Sequence, residues 1–343
     1  MFKKIKFVAL SITVLTILAV NANAAGRQFT TQGQLTDGTP VHMTVVAPEE
    51  SKQQAEQILS SALSVIVRID GQLFGGGGLA TQINNLQKGQ ALRLPSYVFY
   101  MVKSATTLSA QTKGFFDIAA PSQSNAFSKR DWRRISLDRE NLTISFKSSG
   151  MKLDLSKISK GYYVDIALNE IAKAGFNNAM VNVGPISRNR GHNIFTPWNI
   201  QIGFGGNAQH SKYAYRAFNY NIRNVGAATI TPTGLGRNLI DGKTRNPVGD
   251  PMMKSITILA NDATTATAFG LAAYAIGSKG AIKFVDRNDA IKGIMVDQQG
   301  QIVASKDLNT SSLTKESRWP VYGKASGGPN DLKQKRREEA SGL

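Results

Sequence analysis

Between residues 39 and 73 the apolar positions change period, and that change limits what the chain can become. Residues 39–47 (TPVHMTVVA) alternate apolar and polar side chains as a strand does, while Ala55, Ile58, Leu59, Ala62, Ile66, Ile69 and Leu73 recur at helical spacing. A strand followed by an amphipathic helix over 51–73 predicts a helix lying on a sheet. Four consecutive glycines, 75–78, end that helix and let the backbone approach a ligand closely. They do not make a phosphate loop, because no Gly-Lys-Ser/Thr follows. Further on, the pattern predicts a helix over 96–111, a short antiparallel ladder over 135–155 and a strand-helix-strand unit over 153–185. Strands follow at 198–204, 217–222 and 254–259, then a helix over 262–276 and strands at 293–296 and 302–304. Ladders mixed with crossing helices argue an α+β fold.

The chain opens MFKKIKFVALSITVLTILAVNANAAG, running from Lys3, Lys4 and Lys6 through an apolar stretch to Ala22-Asn23-Ala24. This reads as a secretory signal over 1–24, cut after Ala24, and predicts a periplasmic or otherwise exported protein. Its apolar stretch is shorter than the roughly 20 residues a spanning helix needs, and no later stretch reads as long and apolar enough to cross a bilayer. There is no cysteine, so neither a disulfide nor a thiol-linked lipid can hold the mature chain, which must rely on its own core. Residues 25–323 would form one domain or two lobes, and 324–343, rich in Gly, Lys and Glu without apolar periodicity, read as a disordered basic tail. The formal charge is +18, or +15 without the three leader lysines. Because the basic residues are scattered in small groups and the chain is exported, no nucleic-acid partner is expected.

Within 153–185, Asp154, Ser156, Ser159, Lys160 and Gly161 cluster where a helix begins. One reading is a plain N-cap; the other is an anion site, since a helix start carries unpaired N–H groups and a positive dipole end. Other chemistries are quickly set aside. The three histidines, His42, His192 and His210, have no ligand spacing, and without cysteine a structural zinc site has no basis. No Gly-x-Ser-x-Gly elbow is present.

Five separated segments carry a more specific signal. In order they are 112–117 (TKGFFD), 154–162 (DLSKISKGY), 181–184 (VNVG), 239–248 (LIDGKTRNPV) and 262–266 (DATTA). In this order and spacing they resemble the FAD:protein FMN transferase family, also called ApbE-like, over nearly all of the mature chain. The resemblance implies an exported α+β protein of the T-fold type that binds FAD and magnesium. Such a protein cleaves the FAD pyrophosphate and passes FMN to a threonine of a partner flavoprotein, usually a membrane-bound or exported redox subunit; some members act mainly as FAD hydrolases. It implies flavin contacts from Phe74, where the family has a stacking Tyr, and from Phe115, Phe116, Asp117, Ser156, Lys160, Tyr162 and Ile240. Without the resemblance, Phe115 and Phe116 would read as core. The backbone carbonyl of Ser159 stands where the family gives one to the metal, and the catalytic segment places Asn238 at the family's histidine position with Asp241 nearby.

Several positions depart from the family. Where its metal-holding helix carries Asp and, four residues on, Thr, this chain has Thr267 and Leu271, which are poor magnesium ligands. Asp262 lies five residues before Thr267, about 140° round the helix, so it reads as the N-cap and not a substitute ligand. Asn238 cannot serve as a base at neutral pH. Gly-Gly is Gly184-Pro185, and the family's serine-rich loop is replaced by the tetraglycine. Three readings stay open: an FMN transferase with a displaced metal site, a flavin-binding carrier or assembly factor without catalysis, and a basic adaptor with a vestigial pocket.

Overall fold

The computed structural model describes residues 26–120, 131–202, 218–244, 246–250, 252–306, 308 and 314–315. The leader at 1–24 and the tail at 324–343 lie outside them. Six α-helices are described: α1 (Lys52–Phe74), α2 (Leu79–Asn84), α3 (Ser96–Gln111), α4 (Ser156–Lys173), α5 (Ala263–Ile276) and α6 (Ala281–Val285). The fold is α+β, as the mixed patterning predicted.

An eight-stranded antiparallel sheet organises the molecule. Its spatial order is Arg27–Gln34, Pro40–Ala47, Ala179–Val183, Ile186–Arg190, Gly226–Ile230, Met253–Ala260, Ile291–Asp297 and Ile302–Ala304. Alternation along each strand gives the sheet two faces. One face packs Val41, Met43, Val45, Val181, Ile256 and Ile258 with residues of α1, α4 and α5 in the main core. The other packs Val46, Met180, Leu259, Ile294 and Val296 against Trp198, Ile200, Tyr220 and Ile222. Those four belong to a small sheet of Trp198–Ile202, Phe218–Ile222 and Thr314–Lys315. The result is three layers: helices, large sheet, small sheet.

Helix α1 shows how the pattern becomes burial. Ala55, Leu59, Ala62, Ile66, Ile69 and Leu73 are buried, and fully burying one such Leu or Ile contributes about 1.5–3 kcal/mol. Ile58, expected on that face, is only half-buried at its margin. By length and composition the stretch Glu49–Asn84 does reach the range of a membrane-crossing helix, against the expectation from sequence. In the fold, α1 instead lays its apolar face on the main core and breaks at Gly75.

The ladder expected over 135–155 is only partly formed. Ile135–Asp138 pairs with Thr143–Phe146, whose other neighbour is Ala91–Arg93. The third segment, Lys152–Leu153, pairs instead with Ala119–Ala120. Asn84 of α2 holds it there: its side chain donates to the Leu153 carbonyl (3.0 Å) and accepts from the Leu153 N–H (2.7 Å). That pairing sets the segment after α3 beside the start of α4, where the Asp154 N–H donates to the Ile118 carbonyl. Strand Trp198–Ile202 covers the first part of its expected span, and 203–204 fall outside the described residues.

Candidate functional site

Helix α4 begins without a side-chain cap: its N-cap residue is Leu155, and the Ser156 hydroxyl donates to the Asp154 carboxylate. The polar cluster at this helix start is therefore not a plain cap. The first turns send two lysines to distant segments. Lys157 donates from Nζ to the carbonyls of Arg237 (3.1 Å) and Leu235 (3.4 Å). Burial pushes its ammonium below the usual lysine range, against the pull of the Asp154 charge. Lys160 pairs with Asp37 at 2.7 Å. Burial works to raise the Asp37 carboxyl, but hydrogen bonds from Lys160 and Thr39 and the Lys160 charge outweigh it and hold it at about 2. Ser156, Lys157 and Lys160 line a cavity of about 240 Å³ with Thr39, Pro185, Gly234 and Leu235.

Residues 231–244 run over this helix start and reach the turn after α3. The Gly242 N–H points to the Phe115 carbonyl at 3.5 Å. A Cβ at Gly242 would lie 2.1 Å from the Gly114 carbonyl oxygen, so the two segments can be this close only with glycine there. Next to it, the Lys243 ammonium sits 4.0 Å from the centre of the Phe115 ring, a cation–π contact. The edge of Phe284 meets the same ring. The Asp241 carboxylate, buried, turns back on its own loop, accepting from the Lys243 N–H (2.7 Å) and the Thr244 hydroxyl (2.8 Å). Asn238 is exposed, in the left-handed conformation that asparagine tolerates better than most side chains. Half-buried Ile240 pairs with Pro247 across the loop.

The structure thus brings together Phe115, Asp117, Ser156, Lys160, Asn238, Ile240 and Asp241 around the start of α4. Asp117 accepts from the Ala119 N–H at 2.9 Å and lies against Gly242. The Phe116 side chain is in the core at 2 % exposure, so its ring is unavailable to a ligand and only its backbone could serve; the core reading was right for it. Tyr162 is half-buried, and its hydroxyl is pushed up by burial and by the Asp165 and Tyr100 charges. Phe74 closes α1, half-buried beside a groove of about 480 Å³ lined by the tetraglycine, Gln72, Tyr97 and Gln82.

The metal positions do not fit magnesium. The Thr267 hydroxyl donates to the Ala263 carbonyl at 2.7 Å, is fully buried, and lies where a Cβ on Gly161 would sit. Leu271 is an alkyl side chain in the main core. Asp262 caps α5, accepting from the Thr265 N–H (2.7 Å) and hydroxyl (2.9 Å), as its position in sequence predicted. Ser159 can offer only a carbonyl within α4, and among the described residues no group of three His, Asp or Glu side chains is arranged to hold a metal ion. Magnesium prefers charged oxygen ligands in octahedral array, and this donor set supplies no free carboxylate.

Three features escaped sequence reasoning: the role of Lys157, the Asp37 partner of Lys160, and Asp165. The last caps α5 from α4, accepting from the Ala263 and Thr264 N–H groups at 2.9 Å each and from Arg188 at 3.0 Å. Lys157 and Lys243 stood inside the quoted motifs; nothing local marked Asp37.

The sequence model of the ApbE family matches residues 38–295. A curated FAD:protein FMN transferase of Haemophilus influenzae is 26% identical over 194 residues, 53% of this chain. The match spans 54%, about half, of that relative's length. Among solved structures, the apo flavinyl transferase ApbE of Pseudomonas stutzeri superimposes with a TM-score of 0.68 at 18% identity, covering 82% of this chain and 95% of its own. The ApbE protein of Thermotoga maritima gives 0.65 at 21% identity, covering 82% and 97%. The flavin transferase ApbE of Vibrio cholerae gives 0.60 at 19%, covering 82% and 98%.

Proposed function

We propose, from the premise that this chain belongs to the ApbE family, that it binds FAD and transfers the FMN half to a threonine of a partner flavoprotein. The observation that carries this is the convergence of three segments at one place: the motifs 112–117 and 154–162 meet the stretch 237–244, which runs into the third motif, through Gly242 on Phe115 and Lys157 on Arg237. In the reaction the acceptor hydroxyl oxygen attacks the FMN-side phosphorus, the P–O bond to the AMP phosphate breaks, and the hydroxyl proton leaves with the AMP or with solvent. Such transfer depends on positioning and charge neutralisation more than on a special nucleophile. The chain would act outside the cytoplasm, after cleavage following Ala24, on a membrane-bound or exported redox protein.

A second reading, a flavin-nucleotide carrier or assembly factor without turnover, is favoured by the commitment of Thr267 and Leu271 to the core. One experiment separates the two. The mature chain is mixed with FAD, magnesium and an acceptor bearing a target threonine, and covalent flavin and released AMP are measured. Transfer is expected to be slow. FAD bound without either product supports the carrier. No FAD binding at tens of micromolar, roughly −6 to −7 kcal/mol, overturns both. Phe74→Ala should weaken FAD binding several-fold, since aromatic stacking contributes about 0.5–1.5 kcal/mol.

A further inference from the structure

A flavin dinucleotide brings two negative charges on its diphosphate, and a site that holds it must offset them. Helix α5 has nothing to contribute: the Thr267 hydroxyl is spent on Ala263, Leu271 is core, and the Asp262 carboxylate is spent on Thr265. Helix α4 is furnished the other way. Lys157 and Lys160 stand one turn apart on the wall of the 240 Å³ cavity, which Gly234 and Leu235 also line.

The two lysines are not equivalent. Lys160 is already paired with a carboxylate, Asp37. The hydrogen bonds of Lys157 go to two carbonyl oxygens, which solvate an ammonium without neutralising it; the Asp154 charge acts on it from nearby, but that carboxylate accepts from the Ser156 hydroxyl. A partly buried cation held this way is costly to keep unless an anion completes its surroundings. Its carbonyl partners lie on the same 231–244 segment that carries Asn238 and Asp241, so an anion bound at Lys157 would sit against the transfer segment. Long, flexible and pointing into the cavity wall, the side chain can exchange a carbonyl for a phosphate oxygen with little movement.

We propose that Lys157 is the chain's own cation for the diphosphate of its flavin nucleotide, taking the place of a resident divalent metal. This rests on the flavin reading above. FAD adds a diphosphate and an adenosine to the ring and ribityl chain of riboflavin, so the part of the ratio of their dissociation constants that a change at Lys157 removes reports the charge at issue. It is measured by flavin fluorescence titration of the mature chain, in EDTA and in millimolar magnesium. The expected result is FAD binding at least about tenfold tighter than riboflavin, with the same ratio in both buffers. Lys157→Gln, which removes the charge and keeps a donor, should cut the ratio about tenfold with riboflavin binding retained. Lys157→Arg should keep most of it. A ratio that falls about tenfold in EDTA, or one that survives Lys157→Gln, overturns the inference. Equal binding of both flavins by the parent overturns it while leaving the flavin site standing, and binding of neither removes the flavin reading itself. Thermal unfolding of each variant shows whether a lost ratio reflects lost fold.

Discussion

Helices α4 and α5 meet at Gly161, and the two sides of the contact are furnished differently. The α4 side presents Ser156, Lys157 and Lys160 to a cavity. The α5 side presents Thr264, Thr267 and Leu271, all buried, with each hydroxyl bonded inside the protein. A Cβ on Gly161 would lie 2.7 Å from the Thr267 hydroxyl and 2.8 Å from the Ala263 carbonyl, so the helices are as close as backbone allows. The contrast teaches that α5 is here a core helix, and that the polar chemistry of this site belongs to α4 and to the segment crossing it.

The strongest way to break the contrast is to remove the one carboxylate that α4 lends to α5. Asp165→Ala strips the Ala263 and Thr264 N–H groups of their acceptor and leaves Arg188 without its partner. Loss of one member of a buried pair costs about 3–5 kcal/mol, and urea unfolding should show a loss of that size. A change below about 1 kcal/mol, the worth of an exposed pair, would mean that α4 and α5 are held together chiefly by apolar packing.

A second test refurnishes α5 as the family's metal helix. Thr267→Asp with Leu271→Thr should lower stability by at least about 2–4 kcal/mol, because a core leucine is truncated and a hydroxyl and a carboxyl are buried. In return it should create a magnesium-dependent tightening of FAD binding, of about tenfold, measured by titration with and without the ion. Tightening of the same size by magnesium in the unaltered chain would show that α5 is not the metal-deficient side, and would point to ligands elsewhere.

The smallest effect concerns the anchor of Lys160. Unfolded aspartate titrates near 3.9, and Asp37 in the folded chain at about 2. A carboxyl lowered in the folded state contributes stability that is whole above the unfolded value and is lost as pH falls from about 4 through 2. Asp37→Asn should therefore flatten the acid side of the stability profile over that window, and only slightly, since the Asp37 side chain is about half exposed at 53%. An unchanged acid limb would mean that Lys160 needs no partner from the 35–39 turn.

Legibility followed the range over which each feature is decided. Helix α3 matches its expected span, and α1 and α5 match within a residue at each end, because apolar periodicity and the Asp262 cap act within a few turns. Strands Arg27–Gln34, Ile186–Arg190 and Gly226–Ile230 went unread. The first is a polar edge strand, the second carries four polar or charged residues in succession, and the third, GAATI, is buried throughout, so none alternates clearly. The stray pairing of Lys152–Leu153 is set by Asn84, 69 residues from Leu153.

By itself the sequence determined the α+β class, the amphipathic helices, the family and the five segments that carry its motifs, since each rests on residue type and local spacing. Which of those residues remain available was decided by the tertiary structure. Phe115 and Phe116 are neighbours in the chain, yet one ring lies under Lys243 and the other in the core. Lys157 reaches carbonyls up to 80 residues away and Lys160 a carboxylate 123 residues away. Thr267 spends its hydroxyl inward because Gly161 brings α4 against it. Such commitments depend on which distant backbone arrives at contact distance, and local propensity carries no information about that arrival.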